Sequence, residues 1–102
     1  MPVVLSVRVA SSLDLEELER RALERKPRFR GVPGLVQKIY GRDPASGDMC
    51  GIYFFESTEA LAAFRESELA RSIAAAYEAI DVRPEIFEVL YPLWPERGPF
   101  AE

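Results

Sequence analysis

The stretch that decides the fold is Met49–Phe55, which has the sequence MCGIYFF. Its last four residues are apolar on both alternating faces, whereas a strand with one solvated face alternates apolar and polar residues. We therefore predict a strand in the middle of a sheet that is covered on both sides. The segment Leu35–Arg42 also has strand character, and the turn Asp43–Gly47 joins the two strands as an antiparallel hairpin.

A strand and a helix precede this hairpin, and a last strand ends the regular part of the chain. Val3–Val9 is rich in β-branched residues, with apolar residues at alternate positions. After it, Ser11 and Ser12 favour the start of a helix, because serine hydroxyls cap free backbone N–H groups. We expect Pro27 to end this helix. The last strand is predicted over Pro84–Tyr91.

A second helix is predicted after the hairpin, and its apolar spacing contains a slip. The step from Phe64 to Leu69 is one residue too long for helical phase, so we expect a kink or a restart capped by Ser67. A helix that slips its phase stops packing tightly and can leave a cavity. We therefore expect a pocket between the sheet and this helix, near Phe64, Tyr77 and Tyr53.

The predicted element order is βαββαβ. Right-handed crossovers then give an α+β, ferredoxin-like sandwich, in which a four-stranded antiparallel sheet carries both helices on one face and has its first and third strands in the centre. The other, open face of the sheet would expose a larger apolar patch than soluble monomers usually have. We therefore expect a homodimer through this face. A chain of 102 residues suffices for one domain over 1–102, with a core over 3–91 and an irregular, proline-rich tail over 92–102.

Composition narrows the classes of function. The chain has a formal net charge of -4 and no histidine. The acidity argues against nucleic-acid and membrane partners, and the missing histidine removes the commonest general base, metal ligand and haem ligand. No G-x-G-x-x-G loop is present, and the start of the chain leads us to expect neither a signal nor a membrane segment. We expect no metal, haem, flavin or nicotinamide cofactor and a cytoplasmic location, and the scarcity of Asn and Gln is typical of thermophiles.

Two side chains stand out because of their apolar surroundings. Cys50 is the only cysteine, so it cannot form an intrachain disulfide, and with no cation beside it in sequence we expect an inert buried thiol rather than a nucleophile. Arg8 lies in the middle of a strand among hydrophobic residues, where a guanidinium needs a partner. We expect Glu88 or Glu56 to pair with it inside the dimer, in preference to a role in substrate binding.

Two segments carry a family likeness. In the first, Val32–Leu35 enters a predicted strand that contains Lys38 and Tyr40. In the second, Cys50–Ser57 enters a predicted helix that contains Ala60, Phe64 and Ser67–Leu69. In this pattern the chain resembles the YdhR-type monooxygenase family of the dimeric α/β-barrel superfamily, over about residues 3–91. It departs from the family at Cys50, where Gly is more common, and in a shorter stretch at 27–33, which affects the mouth of the pocket.

The resemblance implies a homodimeric barrel with paired sheets and a pocket between sheet and helices in each subunit. It also implies a cofactor-independent monooxygenase acting on a small aromatic or enolic substrate. Such a substrate reduces oxygen itself, so the protein supplies a dry aromatic pocket and polar groups that orient the ligand, for which Gln37 or Arg8 is suited. The candidate substrate-binding residues are Tyr53, Gln37, Tyr40, Phe64, Tyr77, Tyr91 and Trp94.

Two other classes of function stay open. A non-catalytic dimer that binds a small ligand, or responds to stress, needs the same apolar pocket. An RNA-recognition motif shares the βαββαβ topology, and Cys50–Phe55 faintly resembles its third-strand signature. However, the segment lacks the leading basic residue of that signature and has Ile52 where an aromatic belongs. We therefore favour a protein that holds a small hydrophobic or aromatic ligand.

Overall fold

The helices and strands follow the predicted βαββαβ order in the computed structural model, which describes residues 1–100. The elements are β1 Val3–Ser11, α1 Leu15–Phe29, β2 Leu35–Arg42, β3 Met49–Phe55, α2 Thr58–Glu66, α3 Glu68–Arg71, α4 Ile73–Ala76 and β4 Ala79–Glu88, and a 3-10 turn follows at Pro95–Arg97. The strand order is β2-β3-β1-β4, with all neighbours antiparallel. The ferredoxin-like fold, with its first and third strands in the centre, is confirmed.

Alternation along β1 separates a buried face of the sheet from an open one. The helix-side residues of β1 are all buried: Val3, Leu5, Val7 and Val9. Directly opposite Val3 and Leu5 on β3 lie Phe55 and Tyr53, which are also buried. The core therefore lies between this face of the sheet and the helices.

The open face of the sheet keeps large apolar side chains in contact with solvent. Ile39 and Phe87 on this face are 50% and 54% exposed. Part of the face is covered by the chain itself, because the ring of Phe100 lies 5.7 Å from that of Phe54 in an edge-to-face contact. The predicted tail thus turns back onto the sheet, and its last two residues, 101 and 102, lie outside the described residues.

We expected helix α1 to end at Pro27, but it continues to Phe29. A proline in a helix clashes with the preceding turn and lacks one N–H donor. The cost is small at Pro27, because only the last turn of the helix follows it. The extension brings Phe29 into the core. The helix also begins later than the serines suggest, because the side chain of Asp14 accepts the hydrogen bond from the backbone N–H of Glu17.

The predicted break in the second helix is confirmed. Ser67 has an extended backbone, ends α2 and caps α3, and its hydroxyl accepts a hydrogen bond of 3.2 Å from the N–H of Ala70. A second break follows at Ser72, so the segment consists of α2 and two single-turn helices.

The last strand lies earlier in the chain than predicted, at Ala79–Glu88 rather than Pro84–Tyr91. It pairs with the whole of β1, from Glu88 opposite Val3 to Ala79 opposite Ser11. Pro84 therefore lies inside the strand and does not begin it. This is tolerated because β4 is an edge strand, where a missing N–H donor need not break a ladder on both sides.

The expected partners of Arg8 are wrong. Its guanidinium pairs with Asp43 at 2.8 Å and with Asp48 at 3.2 Å, because the hairpin loop ends beside the middle of β1. Hydrogen bonds lower the pKa of Asp43 to about 2. The largest effect comes from the backbone N–H of Ala45, followed by the Arg8 side chain. Arg8 lies opposite Cys50, whose thiol is half-buried rather than buried.

Among residues 1–100, none of the helices combines the length and the apolar character that crossing a bilayer requires.

Two glycines with left-handed backbone conformation provide a matched test of packing. A Cβ on Gly34 (φ 77°) would lie 2.4 Å from the Cβ of Ala60, whereas Gly47 (φ 81°) has no neighbour within 4 Å of that position. We expect Gly47→Ala to lower the free energy of unfolding by about 1 kcal/mol and Gly34→Ala by about 2–5 kcal/mol, since strain and overpacking add there. Denaturant unfolding measures both, and equal losses would contradict the packing argument.

Candidate functional site

The amine of Lys38 lies inside an aromatic box formed by Phe29, Tyr40 and Tyr53. Its nitrogen is 3.4 Å from the centre of the Phe29 ring, 4.3 Å from that of Tyr40 and 4.5 Å from that of Tyr53. Ring faces attract cations, so the box replaces part of the water that a lysine ordinarily binds. The three rings come from α1, β2 and β3, so the box exists only in the folded chain.

A second cation, Arg25, lies beside the box. Its guanidinium carbon is 5.7 Å from the centre of the Phe29 ring and 5.6 Å from that of Tyr77. One of its terminal nitrogens donates a hydrogen bond of 3.1 Å to the hydroxyl of Ser72, at the break between α3 and α4. Its Nε is buried and has no hydrogen-bond partner within residues 1–100. A buried donor without an acceptor is rare and suits a ligand site.

No carboxylate balances these two cations in the part of the chain that the structure describes, since none of its salt bridges includes Lys38 or Arg25. Burial, and then the charge of Arg25, lower the pKa of Lys38 to about 7. Burial also raises the pKa of Tyr53 and Tyr77, so both phenols stay neutral. The arrangement therefore favours an anion or a neutral polar ligand.

Local irregularities direct Lys38 inward. A bulge between Leu35 and Gln37 shifts the phase of β2, so Lys38 lies opposite Tyr53 on the helix side. The next helix-side position of β3 is Gly51, where a Cβ would lie 3.0 Å from a ring carbon of Tyr53 and 3.4 Å from Cε of Lys38. The absent side chain of Gly51 thus leaves room for both groups.

Three spaces meet at Tyr40. A groove of about 480 Å³ runs between α1 and the β2–β3 edge, and its lining includes Leu15, Ala22, Leu23 and Met49. An inner cavity of about 20 Å³ lies among Lys38, Tyr53 and Tyr77, and an outer depression of about 360 Å³ reaches Lys38 from the strand edge. Tyr40 borders all three. Its ring therefore separates the groove from the amine.

Four of the seven predicted site residues come together here. Tyr40 and Tyr53 belong to the box, Tyr77 lies against Arg25, and Phe64 packs behind Tyr53 with ring centres 5.3 Å apart.

The other three predicted residues lie elsewhere. Gln37 is opposite Phe54, which belongs to the open face, and its side-chain oxygen accepts a hydrogen bond from the N–H of Lys38. Tyr91 and Trp94 are 79% and 49% exposed after the last strand.

Two spaces border the broken helix at Phe64. The smaller is a recess of about 190 Å³ between the sheet and α2–α4. The larger, of about 700 Å³, lies between the loop before β2 and α2, and its lining includes Pro33, Ala60 and Leu69. Tyr53 and Tyr77 line neither of them and border only the inner cavity.

Sequence reasoning missed Lys38 and Arg25 as site residues. The signal for Arg25 was present, since Leu18, Ala22, Arg25 and Phe29 have the spacing of one helix face and three of them are apolar. For Lys38 the signal was its alternation with Tyr40 in a strand. No group of three or more His, Cys, Asp or Glu residues in the stretch 1–100 is arranged to hold a metal ion.

The lowered pKa of Lys38 predicts how stability depends on pH. Below about pH 7 folding buries a charged amine, and between pH 7 and about 10 the native state loses the proton while the unfolded chain keeps it. The free energy of unfolding of the wild type, relative to Lys38→Met, should therefore rise over that range, by at most about 1.4 kcal/mol per pH unit. Denaturant unfolding at several pH values measures this difference. Lys26→Met, which retains Lys38, should show the same rise as the wild type. If the difference in the free energy of unfolding between the wild type and Lys38→Met did not change with pH, the lowered pKa of Lys38 would be refuted.

Comparison with solved structures places the fold among small ferredoxin-like proteins. Rv0793 from Mycobacterium tuberculosis is 18% identical with a TM-score of 0.73, covering 91% of this chain and 99% of that one. SnoaB from Streptomyces nogalater, described as a cofactor-independent oxygenase, is 15% identical with a TM-score of 0.73, covering 90% and 96%. A dimeric ferredoxin-like protein of unknown function from Thermobifida fusca is 12% identical with a TM-score of 0.70, covering 87% and 92%.

A search of curated proteins finds no significant match. A family model does match, over residues 4–94, and its description is "Putative mono-oxygenase ydhR". Since this match spans most of the sequence, the chain belongs to the ydhR mono-oxygenase family.

Proposed function

We propose that this protein is a cofactor-independent monooxygenase that acts on a small aromatic or enolic substrate. The observation that carries the proposal is the pair of cations, Lys38 and Arg25, held among aromatic rings without a carboxylate in the described residues. An oxidisable phenol or enol reacts with oxygen as its anion, and a fixed positive charge in a dry site stabilises that anion.

The groove along α1 suits the body of such a substrate. Its volume of about 480 Å³ lies in the range of ligand pockets, and its walls are mainly apolar. Lys26, Arg42 and Glu19 also line it, so its charged groups are two cations and one carboxylate. The reactive end of the ligand would lie against the Tyr40 ring, whose centre is 4.3 Å from the Lys38 nitrogen on the other side.

The reaction balances without a further reductant. The substrate first loses a proton from carbon, and its anion gives one electron to dioxygen. The resulting radical pair joins through a new C–O bond. The peroxide anion takes up a proton, its O–O bond breaks, and water leaves with the second hydrogen of the same carbon, which becomes a carbonyl. One oxygen atom enters the product and the other leaves as water. Negative charge moves from the substrate to oxygen during the electron transfer, so Arg25 and protonated Lys38 stabilise both ends of the transfer. The likeness to SnoaB, itself described as a cofactor-independent oxygenase, supports this reaction class.

We further propose a homodimer with the open sheet faces in contact. Ile39 and Phe87 remain about half exposed on this face even though Phe100 covers part of it. Apolar surface of this kind on a sheet is typical of an interface. Two of the similar solved structures are described as dimeric ferredoxin-like proteins.

The oxygenase proposal predicts oxygen uptake. The protein should consume oxygen with at least one of a panel of hydroxylated naphthalenes, anthrones and quinols. Arg25→Met should lower kcat/KM by about 10²-fold, because a stabilising charge is lost at the reacting group. Tyr53→Phe should also lower turnover, whereas Gln37→Ala should not, since Gln37 is paired with Phe54 on the other face.

Arg20→Met is the matched control for Arg25→Met, because Arg20 lies on the same helix in exposed ion pairs with Glu17 and Glu24. It should keep full activity. Tight binding of the panel compounds without oxygen uptake would instead identify a non-catalytic ligand-binding dimer. A stoichiometric metal or a bound chromophore in the purified active protein would contradict cofactor independence.

The dimer proposal predicts that a charge on the open face separates the subunits. Light scattering at micromolar protein should give the mass of a dimer for the wild type and of a monomer for Phe87→Glu. Leu23→Glu places the same charge on an exposed apolar residue of α1, so it should leave the dimer intact. A wild-type monomer would overturn the proposal.

A further inference from the structure

We propose that Lys38 is a nucleophilic amine that captures a small 1,3-dicarbonyl compound as a covalent adduct in the aromatic box. Only two lysines occur in the chain, and they differ in every relevant respect. Lys26 is exposed on α1, whereas the Lys38 nitrogen lies 3.4 Å from the centre of the Phe29 ring. A lysine becomes nucleophilic near neutral pH when it is desolvated or lies near another cation, and Lys38 meets both conditions.

The groups that face Lys38 act on its charge in opposite directions. The positive charge of Arg25 from α1 favours the neutral amine, whereas the ring faces of Tyr40 from β2 and Tyr53 from β3 attract the ammonium. Tyr77 after α4 borders the inner cavity, and Lys26 and Arg30 lie along the outer depression. None of these is an acid that ionises near neutral pH. The ring faces offset part of the desolvation of the ammonium, yet they offer no acceptor that would hold its proton as a carboxylate does.

The outer depression provides an approach to the amine. Its volume is about 360 Å³, and Phe29, Lys38 and Tyr40 contribute to its lining. A small flat molecule can lie against these rings there. The inner cavity, at about 20 Å³, has room for a water molecule but not for a carbonyl compound.

The missing counterion favours a dicarbonyl over a simple aldehyde. An aldehyde would leave an imine that takes up a proton near neutral pH, and no carboxylate forms a salt bridge with Lys38 or Arg25 within residues 1–100. A 1,3-dicarbonyl instead conjugates the nitrogen with its second carbonyl. The adduct is planar, conjugated and uncharged, so it suits an apolar site that holds no carboxylate.

The covalent step is a condensation without redox change. The lone pair of the Lys38 nitrogen attacks one carbonyl carbon, and the C–O π bond breaks. The oxygen, with two protons from the nitrogen and the central carbon, leaves as water. A C–N bond remains, conjugated through a carbon–carbon double bond to the second carbonyl.

This inference does not require oxygenase activity, and it uses the other protonation state of Lys38. Stabilisation of a substrate anion by Lys38 falls as the pH rises through about 7, whereas attack by the neutral amine increases over the same range. The two roles are therefore separable by pH.

The test uses pentane-2,4-dione with the purified full chain between pH 6 and 9. Formation of the conjugated adduct is followed by near-ultraviolet absorbance, and its position by intact mass and peptide mapping. We expect one adduct, on Lys38, forming at pH 7 at least about tenfold faster than on Lys26. The rate should rise through about pH 7 and then level off. Arg25→Met, which removes the neighbouring positive charge, should move this rise to higher pH.

Lys38→Arg should abolish the adduct. Peptide mapping of the wild type keeps the test decisive even where a variant folds poorly, because Lys38 and Lys26 are compared within one molecule. Equal rates at the two lysines, a rate on Lys38 that rises only near pH 10, or modification confined to the amine of Met1 would each overturn the proposal. Oxygen uptake without any Lys38 adduct would overturn this inference and leave the oxygenase proposal standing.

Discussion

The contact between the Lys38 ammonium and the Phe29 ring constrains much of the structure. Phe29 reaches the core only because α1 continues for two residues beyond Pro27. Lys38 points inward only because a bulge sets the phase of β2, and its chain fits only because Gly51 has no side chain.

A partly buried cation without an anion is a cost to folding, so the contact of Lys38 and Arg25 with core rings calls for a reason. Aromatic faces and one hydroxyl, that of Ser72, reduce the cost for Lys38 and Arg25 but do not remove it. Such a site is preorganised for a ligand that brings the missing acceptor. Ser72 joins the two single-turn helices, and its hydroxyl accepts the hydrogen bond from Arg25 while its N–H donates one to the carbonyl of Glu68.

Most of the fold could be predicted from the spacing of apolar residues along the chain. Alternation along β1, together with an apolar run on both faces of β3, leaves few other sheet arrangements. The phase slip before Leu69 likewise located the helical break at Ser67. Local geometry was harder to predict. The bulge in β2 has no signature in one sequence, and the tolerance for Pro27 depends on the value of burying Phe29.

The aromatic part of the candidate site could be predicted from the sequence, but its charged part could not. Aromatic residues at inward positions were identified as candidates, and four of them lie together. Their charged centre was not identified, since a lone lysine in a strand and an arginine in a helix are usually solvated. Only the three-dimensional packing shows that both are enclosed.

The two edges of the sheet have a consequence for how the protein avoids aggregation. A regular exposed edge is a template on which another strand can add, and one addition can lead to another. Here β4 carries Pro84 within its length, and β2 is interrupted by a bulge before Lys38. Neither edge presents an unbroken row of donors and acceptors, so the sheet resists extension into a fibre. In the proposed homodimer, the subunits would instead meet through side chains on the open face, where a twofold contact closes on itself and stops.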